Sequence, residues 1–383
     1  MKTNIPERIA ALREAMKQQK VDAYIIPSSD PHLSEYPADR WKSREWISGF
    51  TGSAGTIVVT ADKAGLWTDS RYFLQAASQL EGSGIELYKL ALPETPSITE
   101  FLLHELHAGQ AVGLDGQTYS AAEASALANK LSRKEIKLDT SADLIEGIWK
   151  DRPAVPGNPI FEMPEALSGA SVHEKLDLIN NQLRSEGADC LILAALDEIA
   201  WTFNIRGTDV TYNPVVVSYA FVSEDESVLF IKPEKLTAEI TEHLKKEGVT
   251  LAEYSMIQRY LSRLPENSRV FVDMNKTNVS LYDAIPGNCT IVEGISPANH
   301  LKSIKNETEI KGFQNAVVKD GVALTKFYIW LEKQMAEGTQ VTEISAAEKL
   351  TALRAEQPQY IMDSFGTICG YAEHGAIVHY SAT

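Results

Sequence analysis

The side chains best equipped for chemistry in this 383-residue sequence gather in its last stretch, Ser364–Thr383. Glu373, His374, His379 and Tyr380 stand there among Gly370 and Gly375. Two short apolar runs, Ser364–Cys369 and Ala376–Tyr380, flank the glycine-containing loop, a pattern that predicts strand, turn, strand. Alternation along the second run sets Ala376, Val378 and Tyr380 on one face and Ile377, His379 and Ser381 on the other. An imidazole there can accept or donate a hydrogen bond at the wall of a cavity. A core or edge histidine fits the same pattern. Arg71 is the second candidate, in the run Leu66-Trp67-Thr68-Asp69-Ser70-Arg71-Tyr72-Phe73. It can be aimed at a ligand carboxylate or carbonyl. The plainer reading has Asp69 or Ser70 capping the next helix and Arg71 pairing locally. Both readings stay open.

Other polar groups point to structure. Ser28–Tyr36 is expected to be a surface loop, with polar residues ahead of Pro31, and Asp273 to be a cap after an apolar strand. No phosphate-binding glycine loop, Gly-x-Ser-x-Gly, His-Glu-x-x-His or Cys-x-x-Cys occurs, which argues against mononucleotide, serine-hydrolase and zinc-finger chemistry.

The elements that must position these residues are α/β. Pro6 followed by Ile9, Leu12 and Met16 predicts an amphipathic helix within Met1–Lys20, then a strand at Val21–Pro27. Strands at Thr56–Thr60, Leu66–Thr68, Ile85–Leu90, Ala111–Leu114 and Ile136–Leu138 alternate with helices at Arg71–Leu80, Ile98–His107 and Ala121–Leu131. Asp151–Pro164 carries Pro153, Pro156, Pro159 and Pro164 and reads as a linker between domains. Past the linker the chain repeats its own beginning. Arg8–Ile26 parallels Lys175–Leu193 with Asp22 matching Asp189, and Trp46 and Gly52 parallel Trp201 and Gly207. The shift in offset between the two pairs implies an insertion near Ser28–Arg40 of the first copy. Strands Val270–Asp273 and Thr290–Glu293 complete the second. From Glu307 to Lys333, and again over Thr342–Arg354, the spacing is helical, opening an α+β region of another kind. The expected domains are 1–156, 157–300 and 301–383, the last an incomplete one, since an apolar edge strand with nothing after it to cover it is a pairing hazard.

Bulk composition is that of a soluble globular protein, with 44% hydrophobic and 23% charged residues. A net charge of −16 opposes attraction to nucleic acid or an anionic membrane surface. No apolar run reaches the ~20 residues of a membrane span, and the N-terminus lacks signal-peptide character, so a cytoplasmic location is expected. Cys190, Cys289 and Cys369 are far apart in apolar runs and are expected to be buried thiols in a reducing compartment.

These segments, taken together, resemble the three-domain form of Xaa-Pro aminopeptidase, in the creatinase/prolidase group of metallopeptidases with a pita-bread catalytic domain. The likeness is carried by Ser34-Glu35-Tyr36, Gly52-Ser53-Ala54-Gly55-Thr56, Trp67-Thr68-Asp69 with Arg71-Tyr72-Phe73, and Trp149 with Asp151-Arg152-Pro153. It continues in Leu196-Asp197-Glu198, Phe203-Asn204, Arg206-Gly207, Asn213-Pro214, Val341-Thr342-Glu343 and Gly375-Ala376-Ile377 with His379-Tyr380. The resemblance implies two creatinase-like α/β domains and the start of a catalytic domain. It implies hydrolysis of the bond before a penultimate proline by water activated on a dinuclear metal site, usually manganese. His379 matches a substrate-contacting catalytic histidine, and Arg71 an arginine associated with peptide binding, although Ser70 replaces a more usual Gly. Proline-containing peptides are the implied partners, with a homodimer as the implied assembly. The family's metal ligands would all lie beyond Thr383, so no metal ligand is expected in this chain, and by itself it is expected to be inert. A prolidase-like dipeptidase or a non-catalytic binding module of the same group are the alternatives; tandem N-terminal units weigh against the first.

Overall fold

The structure, a computed structural model, describes residues 5–382. Two six-stranded mixed sheets account for most of it. The first is built from β1 (Ala23–Pro27), β2 (Thr56–Thr60), β3 (Ala64–Thr68), β4 (Glu86–Lys89), β5 (Ala111–Leu114) and β6 (Lys137–Asp139), in the order β4-β3-β2-β1-β5-β6. A two-residue strand in the linker, β7 (Phe161–Glu162), and another, β9 (Ile205–Arg206), pair with each other. The second sheet comprises β8 (Cys190–Leu193), β10 (Ser218–Ser223), β11 (Ser227–Ile231), β12 (Val249–Ala252), β13 (Arg269–Val272) and β14 (Thr290–Glu293), in the order β12-β11-β10-β8-β13-β14. The two orders are the same, and so is the sense of every pairing.

The repeat extends to single side chains. Asp22 precedes β1 and accepts the N–H of Ala111 at the start of β5 at 2.9 Å. Asp189 precedes β8 and accepts the N–H of Arg269 at the start of β13 at 2.7 Å. Each aspartate thereby satisfies a donor that the strand end would leave bare. In the first unit Arg8, on the helix Ile5–Gln19, donates to the carbonyl of Trp46 and lies 4.3 Å from the ring centroid. In the second, Lys175, on the helix Val172–Ser185, donates to the carbonyl of Trp201 at 2.9 Å with Nζ 4.8 Å from that ring. Both helices bury one apolar stripe against their sheet, Ile9, Leu12 and Met16 in one and Leu176, Ile179 and Leu183 in the other. Residues 1–4, part of the expected first helix, lie outside the described residues.

The insertion falls where expected, between β1 and the helix Ser43–Ser48. Ser28–Tyr36 is not a surface loop, however. Asp30 and His32 are fully buried where the loop enters the second unit. The His32 ring places Nδ1 2.8 Å from the Ala194 carbonyl and Nε2 2.9 Å from the Tyr254 hydroxyl. Asn278 Nδ2 donates to the Pro31 carbonyl at 2.7 Å. Turn-forming residues kept their turn, with Asp30 Oδ1 accepting from the N–H groups of His32 and Ser34, but that turn is inserted into a neighbour.

After β14 the chain forms the helix Pro297–Ser303, a 30-residue helix Glu307–Ala336 and the helix Glu343–Ala355. Asn306 and Thr342 begin the last two with capping boxes. Arg354 Nε to Asp320 Oδ1 at 2.7 Å fastens the pair. The expected strands Ser364–Cys369 and Ala376–Tyr380 are not strands: only a short 3-10 helix, Ala372–Ala376, interrupts irregular chain. A two-stranded hairpin alone is marginal, and the described residues offer these runs no further strand to pair with. The cysteine expectation is corrected likewise. All three thiols are free, yet only Cys190 is buried, while Cys289 and Cys369 are half-exposed beside turns.

Candidate functional site

Arg71 and His379 meet although 308 positions separate them, with Arg71 Nη1 3.4 Å from His379 Nε2. The first is set by β3. That strand ends at Thr68, and Asp69 caps the 3-10 helix Ser70–Tyr72 by accepting the N–H of Arg71 at 3.1 Å. The same carboxylate grips the guanidinium with two oxygens, Oδ1 to Nε at 2.7 Å and Oδ2 to Nη2 at 2.8 Å. Cap and ion pair were alternatives to a binding role in the sequence. The structure contains both, and they leave Nη1 turned to His379. Hydrogen bonding to Arg71 holds the Asp69 carboxyl below its ordinary range, and the same bonds raise the guanidinium. Arginine can only donate, so His379 Nε2 is an acceptor and the ring proton of the neutral tautomer sits on Nδ1.

Tyr72 supplies a second wall, its ring centroid 5.7 Å from that of His379. Its hydroxyl is 2.7 Å from Ser53 Oγ on the loop Gly49–Gly55. Arg44 shapes that loop from beneath. Buried, it donates to the carbonyls of Phe50 and Gly52 and to Ser28 Oγ. Burial pushes its guanidinium down to about 10. Gly52 tolerates no side chain here, because a Cβ would stand 2.3 Å from the Phe50 ring and 2.7 Å from the Tyr72 ring.

The tail reaches this position through Glu343, the first residue of its helix. One oxygen accepts the Tyr371 N–H at 2.5 Å and lies 3.0 Å from His374 Nδ1; the other accepts the Tyr380 hydroxyl at 2.8 Å. These bonds, the Tyr371 N–H foremost, lower its carboxyl. His379 itself has φ +56°, a left-handed residue in irregular chain, where a strand position was expected. Neither Tyr72 nor Glu343 was singled out as a site residue from sequence. Tyr72 lay within the motif around Arg71, but nothing local reveals that Glu343 would hold a segment some thirty residues away.

Among the described residues no group of three or more His, Cys, Asp and Glu is placed to hold a metal ion. The dinuclear centre implied by resemblance therefore does not fit the side chains at hand, and Asp69 is committed to Arg71. Among the described residues no helix is long and apolar enough to cross a membrane.

Comparison with known proteins gives this arrangement a lineage. Residues 8–148 and residues 151–309 each match a profile of the creatinase/prolidase N-terminal domain. The duplicated α/β units are thus each similar to a creatinase/prolidase N-terminal domain. Along almost its whole length the chain aligns with proteins named Xaa-Pro aminopeptidase P or aminopeptidase P2. It is 39% identical to a probable Xaa-Pro aminopeptidase P of Laccaria bicolor, over 98% of this chain and 59% of the relative. It is 36% identical to aminopeptidase P2 of Arabidopsis thaliana, over 99% of this chain and 58% of the relative. An X-prolyl aminopeptidase of Caenorhabditis elegans, described as a cytosolic enzyme with a di-nuclear active site, superposes with a TM-score of 0.93 at 30% identity. That match covers 99% of this chain and 64% of the other. The chain spans about three fifths of the length of these relatives.

Proposed function

We propose that this chain supplies the substrate-holding portion of an Xaa-Pro aminopeptidase, a hydrolase that releases the first residue of peptides with proline second. The observation that carries the reading is the convergence of Arg71 and His379 on one exposed patch walled by Tyr72. A peptide bond to proline has no N–H, and proline fixes φ, so recognition must come through carbonyl groups and shape. Arg71 Nη1 and the His379 ring offer donors for a substrate carbonyl. A donor already aimed at the position of a developing oxyanion stabilises it without reorganising. His379 is the proposed catalytic group and Arg71 a substrate-binding one. The metal centre, with manganese as the expected ion, belongs on this reading to the two fifths of the relatives' length that this chain does not span. Domain limits of 1–156, 157–300 and 301–383, a cytoplasmic location and a homodimer complete the reading. The likeness to a cytosolic relative supports the location.

Two measurements test it. With manganese added, the 383-residue chain is expected to give no turnover of an Arg-Pro-Pro peptide above background. Turnover would refute the claim that water activation lies elsewhere. Calorimetric titration with the same peptide is expected to show binding that His379→Ala and Arg71→Gln each weaken about tenfold, the loss of one charge-assisted hydrogen bond. Affinity unchanged in both variants would overturn the site.

A further inference from the structure

The internal repeat allows each unit to be read against the other, and one difference has the size and charge of a ligand. In the first unit the Trp46 ring, flanked by Arg8, is covered by Trp149, stacked at 5.2 Å and 14°. Burial lowers the Arg8 guanidinium, and the nearby Asp151 carboxylate opposes that shift. In the second unit the Lys175–Trp201 pair repeats the cation and the indole. Among the described residues, however, no aromatic ring stacks on Trp201. A cleft of about 460 Å³ opens there instead, between the second unit and the helix Glu307–Ala336, with Trp201, Lys175, Arg206 and Phe313 in its walls.

Its charges are out of balance. Lys175 is buried and donates only to the Trp201 carbonyl and to Asn204 Oδ1. Arg206 donates to the carbonyls of Ala200 and Ile205. Among the described residues neither makes an ion pair with a carboxylate, although Glu309 favours the charged form of both. Burial, then Arg206, brings Lys175 down to about 8. Four cations, Lys175, Arg206, Lys302 and Lys305, line the cleft against two carboxylates, Glu309 and Asp197, the latter held by Lys302 at 2.7 Å. Two partly desolvated cations beside an uncovered indole would gain from an anion that carries a flat ring.

We propose that this cleft binds a small aromatic carboxylate, its ring on Trp201 and Phe313 and its charge on Lys175 and Arg206. Its ring takes the place that Trp149 fills in the first unit. The inference is independent of the peptidase reading, because none of these residues belongs to the Asp69–Arg71–His379 group.

Isothermal titration of the 383-residue chain with indole-3-acetate, indole-3-acetamide and acetate tests it. Saturable binding of one indole-3-acetate per chain is expected, with the uncharged amide and the ringless acetate each at least about tenfold weaker. Arg206→Gln is expected to weaken binding about tenfold. Phe313→Ala, at a side chain 59% exposed and so harmless to folding, is expected to weaken it about threefold. Equal affinity for acid and amide, equal affinity for acetate, or wild-type affinity in Phe313→Ala and Arg206→Gln would each overturn the proposal, as would the absence of saturable binding.

Discussion

His32 shows how a residue outside the Arg71–His379 patch sets the terms for the molecule. Its Nδ1 faces a carbonyl, which only accepts, so the proton is on Nδ1 and Nε2 takes the Tyr254 hydroxyl hydrogen. Burial brings its pKa down to about 3, against 6.5 for an exposed imidazole. The unfolded chain therefore binds a proton that the folded chain refuses. The contribution is fully present above the unfolded value and is lost as pH falls from 6.5 toward 3. Between pH 7 and pH 5 the loss amounts to about 2 kcal/mol. Urea unfolding at the two pH values should show that drop in the wild type and a smaller one in His32→Gln, where nothing titrates. Equal drops in both would mean that the imidazole is protonated in place. Asp30 beside it runs the other way, since burial raises its carboxyl and so weakens the fold as pH rises. The single substitution separates the two.

The helix Glu307–Ala336 is sparsely covered for its length. Only Ala323 is buried along its 30 residues, while Ile310, Val317, Val318, Val322, Tyr328 and Ile329 are exposed. Contiguous apolar area of this kind marks an interaction surface. The isolated chain is expected to bind the dye ANS strongly, and Val318→Lys with Ile329→Lys should cut the fluorescence by about half or more. An unchanged signal would place the dye elsewhere. This helix was legible from its 3.6-residue spacing, as were most strands of both sheets, because periodicity is local. β12 gave no expectation, its four residues being too short and too polar at Thr250 to stand out. The terminal strands failed for the opposite reason. Alternation says which face a run would present, never whether a partner is there to pair with. The loop Ser28–Tyr36 was misread because burial between domains leaves no periodic trace. Arg71 and His379 were singled out from motif, but their meeting, and the Tyr72 and Glu343 contacts that arrange it, depend on packing across the chain.

At the scale of the whole molecule, each unit has its own cores, and a seam joins them through His32, Tyr254, Pro31 and Asn278 and through Ala38 and Trp41 packed with Leu196, Ala200 and Val217. Units with separate cores unfold independently unless their contact couples them. Scanning calorimetry should give one dominant transition for the pair of units in the wild type. Tyr254→Phe with Asn278→Ala should separate it into two, the first lower by several degrees, as expected for a loss of about 1–2 kcal/mol. A single transition kept at the wild-type temperature would show that these hydrogen bonds do not couple the units.

The fastening of Asp22 to Ala111, and of Asp189 to Arg269, has a temporal meaning as well. The first strand of each unit lies in the middle of its sheet, with an early neighbour on one side and a late one on the other. On the ribosome, an emerging copy can zip its leading hairpins at once, yet its central ribbon stays half bare until the fifth strand leaves the exit tunnel. Tandem duplication makes the nascent polypeptide pass through that vulnerable stage twice, and the span from Asp22 to Ala111 and from Asp189 to Arg269 measures how long each passage lasts.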